Sequence, residues 1–205
     1  ADSAVVIAGK NVAGLPAGWI FNEFSTPRFS KNGERIVIGA APKQAAKDTT
    51  IIDFEMAKLD IWHWKDPLIQ PQQLVELSRT YTGIIDPKKP NAFLSVATEE
   101  MPFCSIANEN NGRFALLGSD RPYRLETQWD VSPRFDTWTY DFETDRLQPV
   151  ARAMGGRPTL SSQGNYTIWW DAAQRHWFAF DNHARTTVNL TKDIGVNFWN
   201  EEHNT

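Results

Sequence analysis

Residues 158–191 hold three strand-like runs that only short polar turns separate. The runs YTIWW, WFAFD and TTVNL are rich in aromatic and β-branched residues, which favour β-strands, and they cover Tyr166–Trp170, Trp177–Asp181 and Thr186–Leu190. A Ser-Ser-Gln-Gly turn that ends at Gly164 precedes the first run, and Leu160 ends a short strand before that turn. Strands joined by such short turns are antiparallel neighbours. The segment therefore predicts a four-stranded antiparallel sheet of about 35 residues, the size of one β-propeller blade.

The same pattern occurs twice more upstream, which matters because one blade cannot bury both of its faces alone. A turn glycine precedes a predicted second strand at Gly33 and again at Gly112. An aspartate closes each predicted third strand, at Asp86, Asp141 and Asp181. The spacing from glycine to aspartate shortens from the first copy to the last. The repeat is therefore one blade in which the connection from the second to the third strand varies in length.

The repeat predicts an all-β fold: a partial β-propeller of about three four-stranded antiparallel blades, with flanking strands of adjacent blades. Three blades are predicted: 27–102 with a long insertion at 41–79, 103–151 with an insertion at 119–135, and 152–192. Residues 1–26 are predicted to end a preceding blade and to link it to the first of these, and residues 193–205 to start another blade. Further strands are predicted at Ala4–Ala8, Leu59–Pro67 and Ile194–Trp199, and a partial helix at Gln72–Ser78. Three blades and two fragments do not close a ring, so we expect the chain to be part of a larger propeller.

Composition excludes several classes of protein. A net charge of −4 argues against a nucleic-acid partner, which requires a basic face to neutralise phosphates. No apolar run is long enough to span a membrane, and Ala1–Gly9 lacks the pattern of a signal peptide. The single cysteine, Cys104, allows no internal disulfide, and its apolar neighbours predict a buried small residue. The 9 tryptophans fit blades that are packed on both faces.

The two insertions are the candidate functional segments. Both join a second strand to a third, and because the strands alternate in direction, both are expected on one face of the propeller. The candidate substrate or interface residues in them are Trp62, Trp64, Arg121, Tyr123, Arg124 and Trp129, whose types are enriched at recognition surfaces. Two alternatives stay open. The tryptophans of the first insertion would pack it onto its own blade, and the two arginines would form salt bridges with Asp120 or Glu126.

The sequence contains no recognisable catalytic or metal-binding motif. None of the 12 glycines belongs to a Gly-x-Ser-x-Gly nucleophile elbow. The histidines, His63, His176, His183 and His203, lack the spacing of metal ligands. The three strand-closing aspartates occupy equivalent places, which predicts that they cap turns. We therefore predict no catalytic residue, no metal and no cofactor in this chain, and no peptidase activity of its own.

Four strings resemble the N-terminal propeller of bacterial prolyl-oligopeptidase-family serine peptidases. They are FSKNGERIVIGAAP (Phe29–Pro42), LDIWHWKDP with QPQQL (Leu59–Leu74), SDRPYR with WD (Ser119–Asp130) and NLTKDIGVNFWNEEHNT (Asn189–Thr205), and the likeness extends from about Gly18 onward. In that family the propeller caps an α/β-hydrolase domain that carries the catalytic Ser, Asp and His. The resemblance implies a serine peptidase of short peptides whose catalytic domain lies outside these residues.

The resemblance also implies partners and a location. The partners would be a peptide substrate and the C-terminal α/β-hydrolase domain of the same protein, and the location periplasmic or secreted. Some relatives hold the free amine of a substrate with paired glutamates, a role that Glu201 and Glu202 would fill unless they are solvated carboxylates. The alternative function is a stand-alone propeller that binds a protein or a carbohydrate. We also expect self-association, because an arc of blades leaves apolar faces uncovered.

Overall fold

The structure, a computed structural model, describes residues 4–9, 12–46, 50, 61, 63–130 and 134–199. These residues form three antiparallel sheets that follow one another along the chain, so the predicted all-β, partial-propeller fold is confirmed. The first sheet contains β1 Trp19–Phe21, β2 Arg28–Phe29, β3 Ile36–Pro42, β4 Tyr81–Ile85 and β5 Leu94–Ser95; the second contains β6 Phe103–Ile106, β7 Phe114–Ser119, β8 Arg134–Asp141 and β9 Arg146–Gly155; the third contains β10 Thr159–Leu160, β11 Tyr166–Asp171, β12 His176–Asp181 and β13 Thr186–Asn189. Helix α1 is Gln70–Leu77, and α2 is the single turn Ala107–Asn110.

The third sheet agrees most closely with the sequence. Its strands pair in chain order, each antiparallel to the next. β11 extends one residue beyond the predicted run, β12 begins one residue earlier, and β13 ends one residue earlier. The agreement is close because short turns fix both the pairing and the register of adjacent strands.

The first edge of the first sheet is built from two short strands. β1 pairs with the C-terminal part of β3 and β2 with its N-terminal part, so both lie along the same side of β3. Between them, the Ser25 Oγ accepts a hydrogen bond from the Gly39 N–H at 2.6 Å, in place of a backbone carbonyl. The sheet therefore begins at Trp19, inside the segment that the sequence suggested was a link.

Three strands expected from the sequence do not form in the described residues. Ala4–Ala8 belongs to no strand, although the Ile7 carbonyl accepts a hydrogen bond from Asn91 N at 2.8 Å. The described part of Leu59–Pro67 is irregular, and so is Ile194–Trp199. An apolar or alternating run becomes a strand only where a neighbour supplies a ladder of hydrogen bonds. In the described part of the chain, none of these segments has such a ladder.

The sheets pack face to face, and apolar side chains fill the two seams between them. The seam between the first and second sheets has a core of Ile84, Val96, Ala115 and Leu117, and the seam between the second and third has Met154, Trp169 and Phe180. On the third sheet, Trp169 stacks on Phe178 within the seam, with ring centroids 5.7 Å apart. Trp170 packs against Trp177 on the opposite face. The two tryptophans thus lie on opposite faces of the sheet, because successive side chains of a strand alternate between its faces.

Two of the turns that precede second strands use the same hydrogen bonds. Ser30 and Ser161 each accept a bond at the backbone oxygen from the glycine three residues later, at 2.8 Å. Each serine Oγ also accepts a bond from the N–H five residues later, at 3.0 Å. The glycines of these turns, Gly33 and Gly164, have φ of 72° and 80°. Glycine adopts this left-handed conformation without the strain that a Cβ causes.

The middle turn differs from the other two. Ala107 provides the acceptor for Gly112 N at 2.9 Å, but alanine has no hydroxyl to cap the turn. The positive φ expected at Gly112 is found instead at Asn108, Glu109 and Asn110. A Cβ on Gly112 would lie 2.8 Å from the Ala107 Cβ, so this glycine is required for close approach and not for its φ.

The two equivalent glycines predict unequal costs of substitution. Gly33→Ala places a Cβ in open space, so only the strain of an alanine in the left-handed conformation destabilises the fold, by about 1–2 kcal/mol. Gly164→Ala adds a clash, because the new Cβ would lie 2.7 Å from the Ala107 Cβ in the neighbouring blade. We expect Gly164→Ala to lower the free energy of unfolding clearly more than Gly33→Ala in urea titrations. Equal losses would show that the contact between the two turns is unimportant.

The aspartates that close the third strands cap the following turns, as predicted. Asp86, Asp141 and Asp181 accept bonds from Lys88 N at 2.8 Å, Glu143 N at 3.0 Å and His183 N at 2.8 Å. Asp141 also accepts two bonds from the Arg113 guanidinium, at 2.9 and 2.7 Å. The Arg113 bonds, with the turn bonds, hold the pKa of Asp141 well below its usual range.

Asp141 is therefore expected to make the protein sensitive to acid. Its carboxylate is favoured in the folded state, so its contribution to stability is complete above the unfolded pKa of about 4 and is lost as the pH falls below that value. Asp141→Asn should flatten the fall of unfolding free energy with acidification. The matched control, Asp181→Asn, removes the same kind of turn cap without an arginine partner. If the free energy of unfolding falls equally steeply with decreasing pH in wild type and in Asp141→Asn, Asp141 is not the source of the acid sensitivity.

Candidate functional site

The two insertions lie on the same face and touch each other, as the alternation of strand directions predicts. Gln128 donates a hydrogen bond from Nε2 to the backbone oxygen of Asp66 at 2.7 Å. Arg124 Nη2 lies 3.2 Å from Glu76 Oε1. We call the surface formed by residues 63–79 and 120–130 the insertion face. Contacts between segments about 50–60 residues apart hold it together as one surface.

Helix α1 lies in the first insertion, which confirms the predicted partial helix. Pro71 stands in its first turn, where a missing N–H costs nothing. The Gln72 side chain accepts a hydrogen bond from Ile69 N at 3.2 Å, which satisfies one of the free donors at the start of the helix. No residue of α1 is buried. Its apolar side chains Leu74, Val75 and Leu77 are each at least 60% exposed.

The second insertion consists largely of two short 3-10 helices, Arg121–Tyr123 and Glu126–Gln128. Between them, Arg124 is 7% exposed. Its Nε donates to Asp120 Oδ1 at 3.0 Å, and its Nη2 reaches Glu76 in the other insertion. Glu76 in turn pairs with Arg79. Arg124 is thus a structural residue that fixes one insertion to the other, and the salt-bridge alternative is correct for it.

Tyr123 is also held by the fold. Its hydroxyl donates to the buried Asp136 Oδ1 at 2.7 Å, and the Arg134 guanidinium lies 4.8 Å from its ring centroid. The same carboxylate oxygen accepts a bond from Ala153 N at 3.0 Å. Burial and the bond to Asp136 raise the pKa of Tyr123 above its ordinary value. Tyr123 therefore connects the second insertion to β8 and β9.

The exposed tryptophans are the candidates that stay free for a partner. Trp64 and Trp129 are 64% and 68% exposed. They flank the bond between Gln128 and Asp66, so both belong to the insertion face. Arg121 is less available, because its Nη1 lies 3.4 Å from Glu100 Oε1. The remaining candidates, Trp62, Glu201 and Glu202, lie outside the described residues.

Sequence reasoning missed two arginines, Arg79 at the end of the insertion face and Arg157 outside it. The Arg157 guanidinium lies 4.2 Å from the Phe103 ring centroid, and that of Arg79 lies 5.4 Å from the same ring. Arg79 pairs with Glu76, whereas Arg157 has no ion pair with any described residue. Neither arginine belongs to a motif. Their common position around Phe103 depends on pairings between distant segments, which no local pattern reveals.

Cys104 and the possible metal-binding groups of the described residues were the remaining chemical candidates. Burial raises the pKa of the Cys104 thiol to about 12, so it is protonated at neutral pH and unreactive as a thiolate. Within the described ranges, no group of three or more His, Cys, Asp or Glu side chains is placed to hold a metal. No helix in the described part of the chain is long and apolar enough to cross a membrane.

Comparison with known proteins gives weak likeness to solved structures and no match of sequence. No protein-family profile matches the chain, and no curated protein matches its sequence. Among solved structures, the chain is similar to TolB from Acinetobacter baumannii, with 8% identity and a TM-score of 0.37. The likeness covers 80% of this chain and 31% of the TolB chain, so the chain spans about a third of that protein's length. None of these comparisons identifies the prolyl-oligopeptidase family, which stays a resemblance of the sequence.

The burial of Arg124 predicts that its loss is a loss of stability. Arg124→Ala leaves the carboxylates of Asp120 and Glu76 without this partner in a poorly hydrated position, which costs about 3 kcal/mol. Arg121→Ala removes an ion pair whose glutamate is 82% exposed, and should cost less than about 1 kcal/mol. Urea unfolding of both variants measures the difference. If Arg124→Ala is as stable as wild type, the two insertions are not fixed by this residue.

Proposed function

We propose that this chain is the non-catalytic propeller part of a prolyl-oligopeptidase-like serine peptidase, and that its insertion face docks on the α/β-hydrolase domain. The propeller would then gate or orient the peptide substrate, and the separate domain would supply the nucleophile. The observation that carries the proposal is the insertion face itself: two insertions fastened together by Arg124 that expose apolar side chains of α1.

Exposed apolar area of this kind supports docking of a protein domain. Soluble proteins rarely leave a contiguous apolar patch in water unless it binds a partner. Leu74, Val75 and Leu77 lie within one turn of α1, and Trp64 and Trp129 lie on the same face. Aromatic anchors beside aliphatic side chains are the usual composition of the centre of a protein interface.

A fixed framework beneath the patch supports the same proposal. The ion pairs of Arg124 with Asp120 and Glu76 keep the two insertions in one arrangement before any partner binds. A preformed surface loses little conformational entropy on association, which favours affinity. Long connections that serve no site are uncommon in compact folds.

A carbohydrate-binding propeller is the second candidate, and the exposed tryptophans favour it. Sugars stack on aromatic rings, and Trp64 and Trp129 are accessible. The aliphatic residues of α1 offer neither a ring nor a hydrogen-bonding group to a sugar. The patch as a whole therefore fits a protein domain better than a carbohydrate.

The test uses the complete reading frame. We expect it to encode a strand followed by Gly-x-Ser-x-Gly, and the purified protein to cleave an aminoacyl-prolyl chromogenic substrate. The double variant Leu74→Glu, Leu77→Glu puts charge into the docked surface and should lower kcat/KM about tenfold or more, because central interface residues contribute about 2 kcal/mol or more each. Leu147→Glu, an exposed leucine at the start of β9, is the matched control and should leave kcat/KM unchanged.

Three outcomes overturn the proposal. One is a reading frame without a hydrolase domain, and another is unchanged kinetics in the double variant. The third is a shift from dimer to monomer in the double variant, by light scattering, with turnover intact. That result would assign the patch to a second copy of the chain.

A further inference from the structure

The seam between the second and third sheets contains a pocket that the strands do not fill. β10 has only two residues where the equivalent β6 has four, so the third sheet covers the second incompletely beside the connection from β9 to β10. The resulting pocket has a volume of about 150 Å³. Its apolar walls include Phe103, Leu116, Phe135 and Pro158. An apolar pocket of this size accommodates a group as large as benzene.

One polar side chain in the wall has no hydrogen-bond partner among the described residues. Thr137 is 1% exposed and lines the pocket, and its Oγ1 makes no hydrogen bond with any described residue. Buried hydroxyl groups are almost always hydrogen-bonded, because an unmade bond costs about 1–3 kcal/mol. The wall of the pocket therefore contains a hydroxyl group whose hydrogen-bonding capacity the described residues do not use.

Irregular pairing of β8 with β9 gives Thr137 its position. The register shifts on both sides of Thr137, and β9 carries the additional residues. Ala153, one of these, has a φ of 52°, which is uncommon for a residue with a side chain. The Asp136 carboxylate holds it there by accepting a bond from its N–H. Bulges of this kind redirect side chains and are frequent beside functional sites.

A cation stands at the exposed side of the same pocket. Arg157 lines the pocket, is exposed to solvent, and lies over the rings of Phe103 and Phe135 at 4.2 and 5.4 Å. Stacking fixes the orientation of the guanidinium and leaves its in-plane N–H groups able to donate hydrogen bonds to a carboxylate at the rim. No described carboxylate pairs with it. The pocket thus combines an apolar interior, a buried hydroxyl and a cation that no described carboxylate pairs with.

We propose that this pocket binds an organic carboxylate with an apolar body about the size of a leucine side chain. The carboxylate pairs with Arg157, and the apolar group fills the space between Phe103, Leu116 and Phe135. The Thr137 hydroxyl donates to a second acceptor on the ligand, such as an amide oxygen. The residue at the C-terminus of a peptide and a free N-acyl amino acid share this chemistry.

The test is a titration of the 205-residue chain with N-acetyl-leucine, followed by amide shifts in NMR spectra. We expect saturable binding with a Kd of about 1 mM or tighter, with shifts confined to residues around Phe103, Thr137 and Arg157. N-acetyl-leucinamide lacks the carboxylate, so its Kd should be at least about tenfold higher. A tetrapeptide that ends in leucine separates the two sources of ligand: tighter binding than N-acetyl-leucine indicates a polypeptide C-terminus, and equal binding indicates a small acid.

Three variants with matched controls assign the contacts. Arg157→Gln should weaken binding about tenfold, whereas Arg146→Gln, at the far end of β9, should not change it. Thr137→Val should weaken it about fivefold, and Thr137→Ser should restore it. Gly118→Val extends into the pocket, since a Cβ there meets no atom closer than 3.6 Å, and should abolish binding while the fold is kept.

The proposal is overturned by two results. One is the absence of saturable binding by both N-acetyl-leucine and the tetrapeptide, which would show that the pocket holds only solvent. The other is binding that Gly118→Val and Arg157→Gln both leave unchanged. Neither result depends on a catalytic domain, so failure here is distinguishable from failure of the docking proposal.

Discussion

The structure depends on packing the apolar faces of adjacent sheets against each other. Alternation along a strand sends successive side chains to opposite faces, and Trp169 and Trp170 show that both faces of β11 are apolar. An apolar face is buried only by a neighbouring sheet, and in the described residues the third sheet packs against such a neighbour on its Trp169 face. The face-to-face seams follow from that requirement, and burying each large side chain in them contributes about 1.5–3 kcal/mol. Where the equivalent first strands of neighbouring sheets differ in length, as β6 and β10 do, a pocket lies beside the shorter strand.

The parts of the fold that the sequence predicts well are those fixed by local chemistry. The third sheet is correct to within one residue because its turns are short, and a serine and a glycine specify its first turn. The first sheet is harder, because β3 pairs with β4 across a long insertion and its edge is divided between β1 and β2. The expected strand at Leu59–Pro67 fails in its described part for a related reason. Alternation identifies a chain able to form a strand, but only a neighbouring strand makes it one.

In the candidate site, too, the sequence predicts the local contacts but not those between distant segments. The pairing of Arg124 with Asp120 is visible in the sequence, because residues four apart on a helical turn are neighbours. Its pairing with Glu76, 48 residues away, is not. That distant contact changes the meaning of Arg124 from a ligand-binding candidate to a structural residue. Buried ion pairs add little net stability, because desolvation offsets the attraction between the charges. The value of this network therefore lies in fixing one arrangement of the two insertions.

Both insertions are connected to the pocket by short chains of contacts. The first reaches it through Arg79 and the Phe103 ring, on which Arg157 also stacks. The second reaches it through Tyr123 and Asp136, which hold the bulge opposite Thr137. A partner that displaced α1 would move Arg79 relative to Phe103 and so change the surroundings of Arg157. A ligand in the pocket would contact the same ring, because Phe103 lines the pocket. Because free-energy coupling between two sites is reciprocal, any change that docking on the insertion face causes in the affinity of the pocket equals the change that a ligand in the pocket causes in the affinity of docking.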